Sequence, residues 1–108
     1  MLGGTLAVTT AASFGNTTGS TTVDNTADAD ATLDLQTGTA VVADDIELTG
    51  AATADPLLKF SSAASTTTLS GVLSLGSDGT VEITQADGTL AVTNAIVGTD
   101  TLTKLGAG

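Results

Sequence analysis

The chain has 108 residues with no Cys and no His, which excludes disulfides, thiolate or imidazole metal sites and imidazole catalysis. Twelve acids against Lys59 and Lys104 give a net charge of −10, which argues against nucleic acid as a partner and against insertion into or binding to an anionic membrane. Apolar residues make up 41% of the chain, but two are Phe and none is Tyr or Trp, so Leu, Val, Ile and Ala must fill a thin core.

In chain order, the recurring signal is alternation of period two, the mark of a strand with one apolar face. It opens at Leu6-Ala7-Val8 and is looser around Phe14 and Val23. It returns at Leu33-Asp34-Leu35, Ile46-Glu47-Leu48 and Leu58-Lys59-Phe60. It continues at Leu73-Ser74-Leu75, Val81-Glu82-Ile83 and Leu90-Ala91-Val92. Thr flanks many of these runs, and Gly, Asp and Asn separate them. No stretch carries the three-and-four spacing of a helix over a dozen residues. The alternation predicts an all-β chain of about ten short strands. Asp34, Glu47, Lys59 and Glu82 are expected on the water-facing side. No run is long enough for a transmembrane helix, and "MLGGTLAV" does not read as a signal peptide, so a secreted chain would have lost its signal or carry it in a longer parent.

The strands recur at a longer interval. "TLAV" begins at Thr5, "TLDL" at Thr32, "LLKF" at Leu57, "TVEI" at Thr80 and "TLTK" at Thr101, spacings of 27, 25, 23 and 21 residues. Such a period predicts a parallel β-solenoid of about four rungs, over 5–31, 32–56, 57–79 and 80–100, with a partial rung at 101–108. Leu6, Leu33, Leu58, Val81 and Leu102 would stack in one interior column, and Val8, Leu35, Phe60 and Ile83 in another. The paired "DGT" at Asp78 and Asp87 would then open two neighbouring strands of one rung. The alternative is an antiparallel β-sandwich, with "QADG" as a hairpin loop.

"NTTGSTTV" (Asn16 to Val23), "DGTLAV" (Asp87 to Val92) and "LTKLGAG" (Leu102 to Gly108) resemble the autotransporter-associated β-strand repeat. The aromatic that usually follows Asn-Thr in that repeat is missing here. The resemblance implies a passenger-type parallel β-helix, an extracellular or bacterial cell-surface location, and a stalk or adhesin role, with a surface receptor as the partner of an adhesin. It brings no catalytic residues.

Candidate sites are few. Asp24, Asp28, Asp30 and Asp34 form the densest acidic stretch, and Asp28 with Asp30 would be the calcium ligands if calcium binds, although the twelve-residue calcium-loop pattern is absent. Asp44, Asp45 and Glu47 read as a turn and an outward strand position; a sugar-cleaving carboxylate pair would also need stacking aromatics. Lys59, between Leu58 and Phe60, reads as outward-facing rather than as half of an isopeptide. Thr37 to Thr39, Thr66 to Thr68 and Thr99 to Thr103 are similar to the threonine arrays of ice-binding solenoids, but they do not recur at a constant offset from the rung starts. No nucleophile, base or cofactor constellation can be assembled, so the chain is expected to be non-catalytic. Neither end shows a cap, which points to head-to-tail stacking with a second copy of the same chain.

Overall fold

The computed structural model describes residues 3–14, 19–26, 30–51 and 55–108. They form a parallel β-solenoid of three sheets. Sheet 1 contains β1 (Gly4–Val8), β3 (Ala31–Leu35), β6 (Leu57–Phe60), β9 (Gly79–Ile83) and β12 (Leu102–Leu105), in that order. Sheet 2 contains β4 (Ala40–Val42), β7 (Thr66–Leu69) and β10 (Thr89–Val92). Sheet 3 contains β2 (Ser20–Asn25), β5 (Asp45–Gly50), β8 (Leu73–Leu75) and β11 (Ile96–Val97). Each rung visits sheets 1, 2 and 3 in turn, and the chain then steps down to the next strand of sheet 1.

Every strand pair is parallel. The two Asp-Gly-Thr copies therefore lie on different sheets of one rung: β9 pairs with β6 and β12, and β10 pairs with β7. A hairpin would have paired β9 with β10.

The interior follows from alternation and register together. Val8, Leu35, Phe60 and Ile83 stand in line, as the spacing predicts. Leu6, Leu33, Leu58 and Val81 form the neighbouring column. Sheet 3 adds Val23–Leu48–Leu75 and Ile46–Leu73–Ile96, and sheet 2 adds Val42–Leu69–Val92. Phe60, Leu33, Leu35, Leu48 and Leu58 are fully buried, and Phe60 is the largest of them. No position lies far from a backbone, so aliphatic side chains and one ring suffice to fill the interior.

Corner lengths absorb the uneven repeat. From the sheet 2 column to the Ile46–Leu73–Ile96 column the chain always takes the same number of residues, from Val42 to Ile46, Leu69 to Leu73 and Val92 to Ile96. From sheet 3 to sheet 1 the path is longer in the upper rungs (Leu48 to Leu58) than in the lower (Leu75 to Val81). Gly50 marks one tight corner: a Cβ there would overlap Asn25 Oδ1, the side chain stacked on it from the rung above. Asn25 is buried and accepts a hydrogen bond from Ala51 N at 3.2 Å, so this polar side chain ties two rungs together.

Three expectations need correction. Leu102 does not lie under Val81. β12 is shifted by two residues, so Leu102 pairs with Gly79 and Lys104 takes the place beneath Val81. Gly79 has no side chain, and Leu102 packs partly against the core beside it. Asp34 does not point freely into water. It is 6% exposed, on the outer face but covered, and its carboxylate accepts hydrogen bonds from Gln36 Nε2 and Ser61 Oγ, each at 2.8 Å. Finally, the upper end is not bare. The sheet 2 position of the first rung holds a 3-10 helix, Ala11–Phe14, and Ala11 and Phe14 pack against the core. A single turn of this kind caps the upper edge of β4 without offering it a strand.

Candidate functional site

The calcium reading rested on Asp28 and Asp30. Asp28 lies outside the described residues, as do Asn16 to Thr18 of the repeat resemblance. Asp30 precedes β3 at the corner between sheets 3 and 1, is exposed, and accepts Gly4 N through its backbone oxygen at 2.5 Å. Asp24 is occupied locally. The hydroxyl and the backbone N–H of Thr26 hold its carboxylate below the usual value of 3.8, the latter donating to Oδ1 at 2.8 Å. Asp34 is held by Gln36 and Ser61 as described above. Asp24, Asp30 and Asp34 thus lie on different elements, and the carboxylates of Asp24 and Asp34 are engaged with different partners. Among the described residues, no group of three or more carboxylates is arranged to hold a metal ion.

A different acidic feature recurs two residues before each of the rung starts Thr32, Leu57 and Thr80, a recurrence that the sequence reading above does not single out. Asp55 and Asp78 occupy equivalent corner positions just before β6 and β9, and Asp30 does the same before β3. With Asp100 from the next rung, Asp55 and Asp78 border a cleft of about 280 Å³. Its carboxylates bridge rungs: Asp78 Oδ1 accepts Thr101 N at 2.8 Å, and Asp55 Oδ2 accepts Thr80 Oγ1 at 3.4 Å. An aspartate placed just before a strand, accepting from the chain one rung on, satisfies donors at an open corner. That accounts for the recurrence.

Asp44 sits at the opposite corner and is 3% exposed. Thr21 Oγ1 donates to its Oδ2 at 2.6 Å, while its Oδ1 accepts no hydrogen bond among the described residues. Asp45 turns outward and accepts Val72 N at 2.7 Å, and Glu47 is exposed on the outer face of sheet 3. The three acids thus diverge, and they do not form the facing pair that glycoside hydrolysis requires.

On the outer face of sheet 1, Ala7, Asp34, Lys59, Glu82 and Leu105 form one column, so Lys59 stands between two acids on the neighbouring rungs. Beside them run Thr5, Thr32, Leu57, Thr80 and Thr103. The threonines of sheet 2 sort by face. Thr67 is fully buried, donates to Gly38 O at 2.6 Å and shares a 2.7 Å hydrogen bond with Thr37 Oγ1. Thr66 and Thr89 are paired outward, and Thr66 N donates to Thr39 Oγ1 at 3.5 Å, which brings Thr39, Thr66 and Thr89 into one rank. The rank escapes a fixed-offset search because the corner from Leu35 to Val42 is shorter than those from Phe60 to Leu69 and from Ile83 to Val92. The neighbouring outward column, Val41–Thr68–Ala91, carries no charge either.

The two ends differ from the middle. Leu6 is 47% exposed although Leu33 and Leu58, in its column, are fully buried, and Ile96 is 49% exposed below the buried Ile46 and Leu73. Among the described residues, no helix is long and apolar enough to cross a membrane. No protein-family model, no curated protein and no solved structure matches the chain.

Proposed function

We propose that the chain is a structural, non-catalytic segment of an extracellular bacterial stalk, adhesin or filament, lengthened end to end by stacking on a second copy of itself. The observation that supports this is the in-register continuation of the interior columns from rung to rung, a pattern that another rung of the same kind would extend. A rung added at either end would bury apolar side chains and satisfy a row of strand N–H and C=O groups. The charge of −10 per copy opposes stacking and is screened by salt. The purified chain should therefore form unbranched fibres, visible by electron microscopy and light scattering, at lower protein concentration as salt is raised. A strictly monomeric chain at high protein and salt concentration would contradict the reading.

A second reading, a module that binds an ice-like ordered surface, is favoured by the uncharged Thr39–Thr66–Thr89 rank along one outer face of sheet 2. Under it, Thr66→Lys would abolish inhibition of ice recrystallisation by the folded chain. Absence of inhibition by the unaltered chain would dismiss it.

A further inference from the structure

Three aspartates share one place in the solenoid and differ in the residue that follows. Asp30, Asp55 and Asp78 each stand at the corner before a strand of sheet 1. Ala31, Pro56 and Gly79 come next, directly ahead of the register partners Thr32, Leu57 and Thr80. Pro56 is the single proline of the chain. Gly79 N donates to Thr101 O on the next rung at 2.9 Å, whereas the Pro56 nitrogen carries no hydrogen to donate. Pro56 is buried instead, and its Cδ lies against Gly50, where a Cβ would stand 3.0 Å from it.

The bond from Asp55 to Pro56 is therefore a tertiary amide at an open corner. Asp55 is exposed, and its carboxylate is loosely held: Thr80 Oγ1 donates to Oδ2 at 3.4 Å, and Oδ1 accepts no hydrogen bond among the described residues. The acids that face it across the cleft are Asp78 and Asp100, and the described residues lining that cleft include no cation. On the strand side, Thr80 N donates to Pro56 O at 3.0 Å and keeps the proline in the ladder. An aspartate carboxylate reaches its own main-chain carbonyl carbon through a five-membered ring, and a nucleophile held so near has a high effective concentration.

We propose that Asp55–Pro56 is a self-cleaving bond, opened in mild acid by the Asp55 carboxylate, and that the two halves stay docked after the cut. In the first step an Asp55 carboxylate oxygen bonds to the Asp55 main-chain carbonyl carbon. The Pro56 nitrogen takes a proton from solvent, and the C–N bond breaks with its electron pair going to nitrogen. The products are a cyclic anhydride at Asp55 and a secondary amine at Pro56. In the second step water adds to the anhydride and leaves two carboxyl groups on Asp55, so the net reaction consumes one water. The bonds from Asp30 to Ala31 and from Asp78 to Gly79 stay whole, because a secondary amide nitrogen takes the proton less readily. The cut falls between β5 and β6, and the parallel pairs β3–β6, β4–β7 and β5–β8 bridge it. The columns cross it at Leu33–Leu58, Leu35–Phe60, Val42–Leu69 and Leu48–Leu75, and none of these contacts needs the peptide bond. The site lies between inner rungs and does not depend on the end-to-end reading above.

The test compares the full chain with Asp55→Asn and Pro56→Ala, each held at neutral pH and at the lowest pH that leaves its circular dichroism native. Ala31 holds the same place one rung above, so Pro56→Ala keeps the fold. Mass spectrometry of the unaltered chain in acid should show fragments 1–55 and 56–108, and each variant should cleave at least about tenfold more slowly. Back at neutral pH, the cut chain should elute from a sizing column with the intact chain and come apart in urea. An unchanged intact mass, equal cleavage after Asp30 or Asp78, undiminished cleavage of Asp55→Asn, or cleavage confined to chain unfolded by urea would overturn the self-cleaving bond. Fragments that separate without urea would overturn the docking.

Discussion

Replacing Phe60 by alanine removes the largest fully buried side chain of the interior. The ring lies between Leu35 above and Ile83 below, and its Cε1 reaches the corner at Gly88, where a Cβ would stand 3.3 Å away. Such a ring has no room to be replaced by water or by neighbouring side chains, because strand hydrogen bonds fix the spacing between rungs. Truncation of a buried Phe costs about 3–5 kcal/mol, and the fixed rung spacing places this site toward the upper part of that range. A chain of this size has roughly 5–15 kcal/mol of stability in total. The loss should lower the melting temperature by roughly 12–40 °C, at about 4–8 °C per kcal/mol. Urea unfolding monitored by circular dichroism should show a lower midpoint with an unchanged slope. Phe14→Ala, in the cap over the upper end and only partly buried, should cost less than half as much. A cost below about 1 kcal/mol at Phe60 would mean that the two interior columns of sheet 1 are not packed as described.

Leu35→Asp and Ile83→Asp should each prevent folding, because each puts an unpaired carboxylate into the column that contains Phe60, whereas Glu47→Ala and Glu82→Ala should change stability by no more than about 0.5 kcal/mol; equal sensitivity of the two pairs in a melting series would reverse the assigned faces. Ala64 has φ of 48° in the turn between β6 and β7, a conformation glycine adopts without strain, so Ala64→Gly should stabilise the fold by about 0.5–1 kcal/mol, and destabilisation in a urea titration would refute that backbone geometry. The Thr26 bonds lower the pKa of Asp24 in the folded chain, so their contribution is present above the ordinary value of 3.8 and is lost as pH falls through the folded value. Asp24→Asn should lower the melting temperature at neutral pH and change it little once pH is below the folded value, so that the acid side of the profile flattens; an effect as large at about pH 2 as at neutral pH would count against this origin.

The column Val8–Leu35–Phe60–Ile83 is legible in the sequence because strict alternation and near-equal spacing agree there. At β12 they do not suffice. A shift of two residues keeps every side chain on the same face, so the pattern of "TLTK" fits Thr101 or Thr103 opposite Thr80 equally well. The choice is made by three-dimensional fit, with Leu102 beside the bare Gly79. Asp34 obeys alternation and faces outward, yet Ser61, one rung away, covers it, and no linear pattern announces a neighbour so distant in sequence. The Thr39–Thr66–Thr89 rank emerges only once unequal corners are laid in register, whereas Asp30, Asp55 and Asp78, each two residues before a rung start, are legible in the sequence and are missed only when acids are sought as clusters along the chain. The four residues of the 3-10 cap are too few to show a helical period.

The central claim is the parallel register of successive rungs, and engineered cysteine pairs test it cleanly because the chain has no cysteine of its own. Glu47 and Ser74 are register partners on the outer face of β5 and β8, at a separation that a disulfide spans. Glu82 and Ala91 would face each other only if "QADG" closed an antiparallel hairpin; in the solenoid they lie on different sheets. Under mild oxidation, followed by mass spectrometry of the folded monomer, Glu47→Cys/Ser74→Cys should close a disulfide and Glu82→Cys/Ala91→Cys should remain reduced. The reverse result would contradict the solenoid.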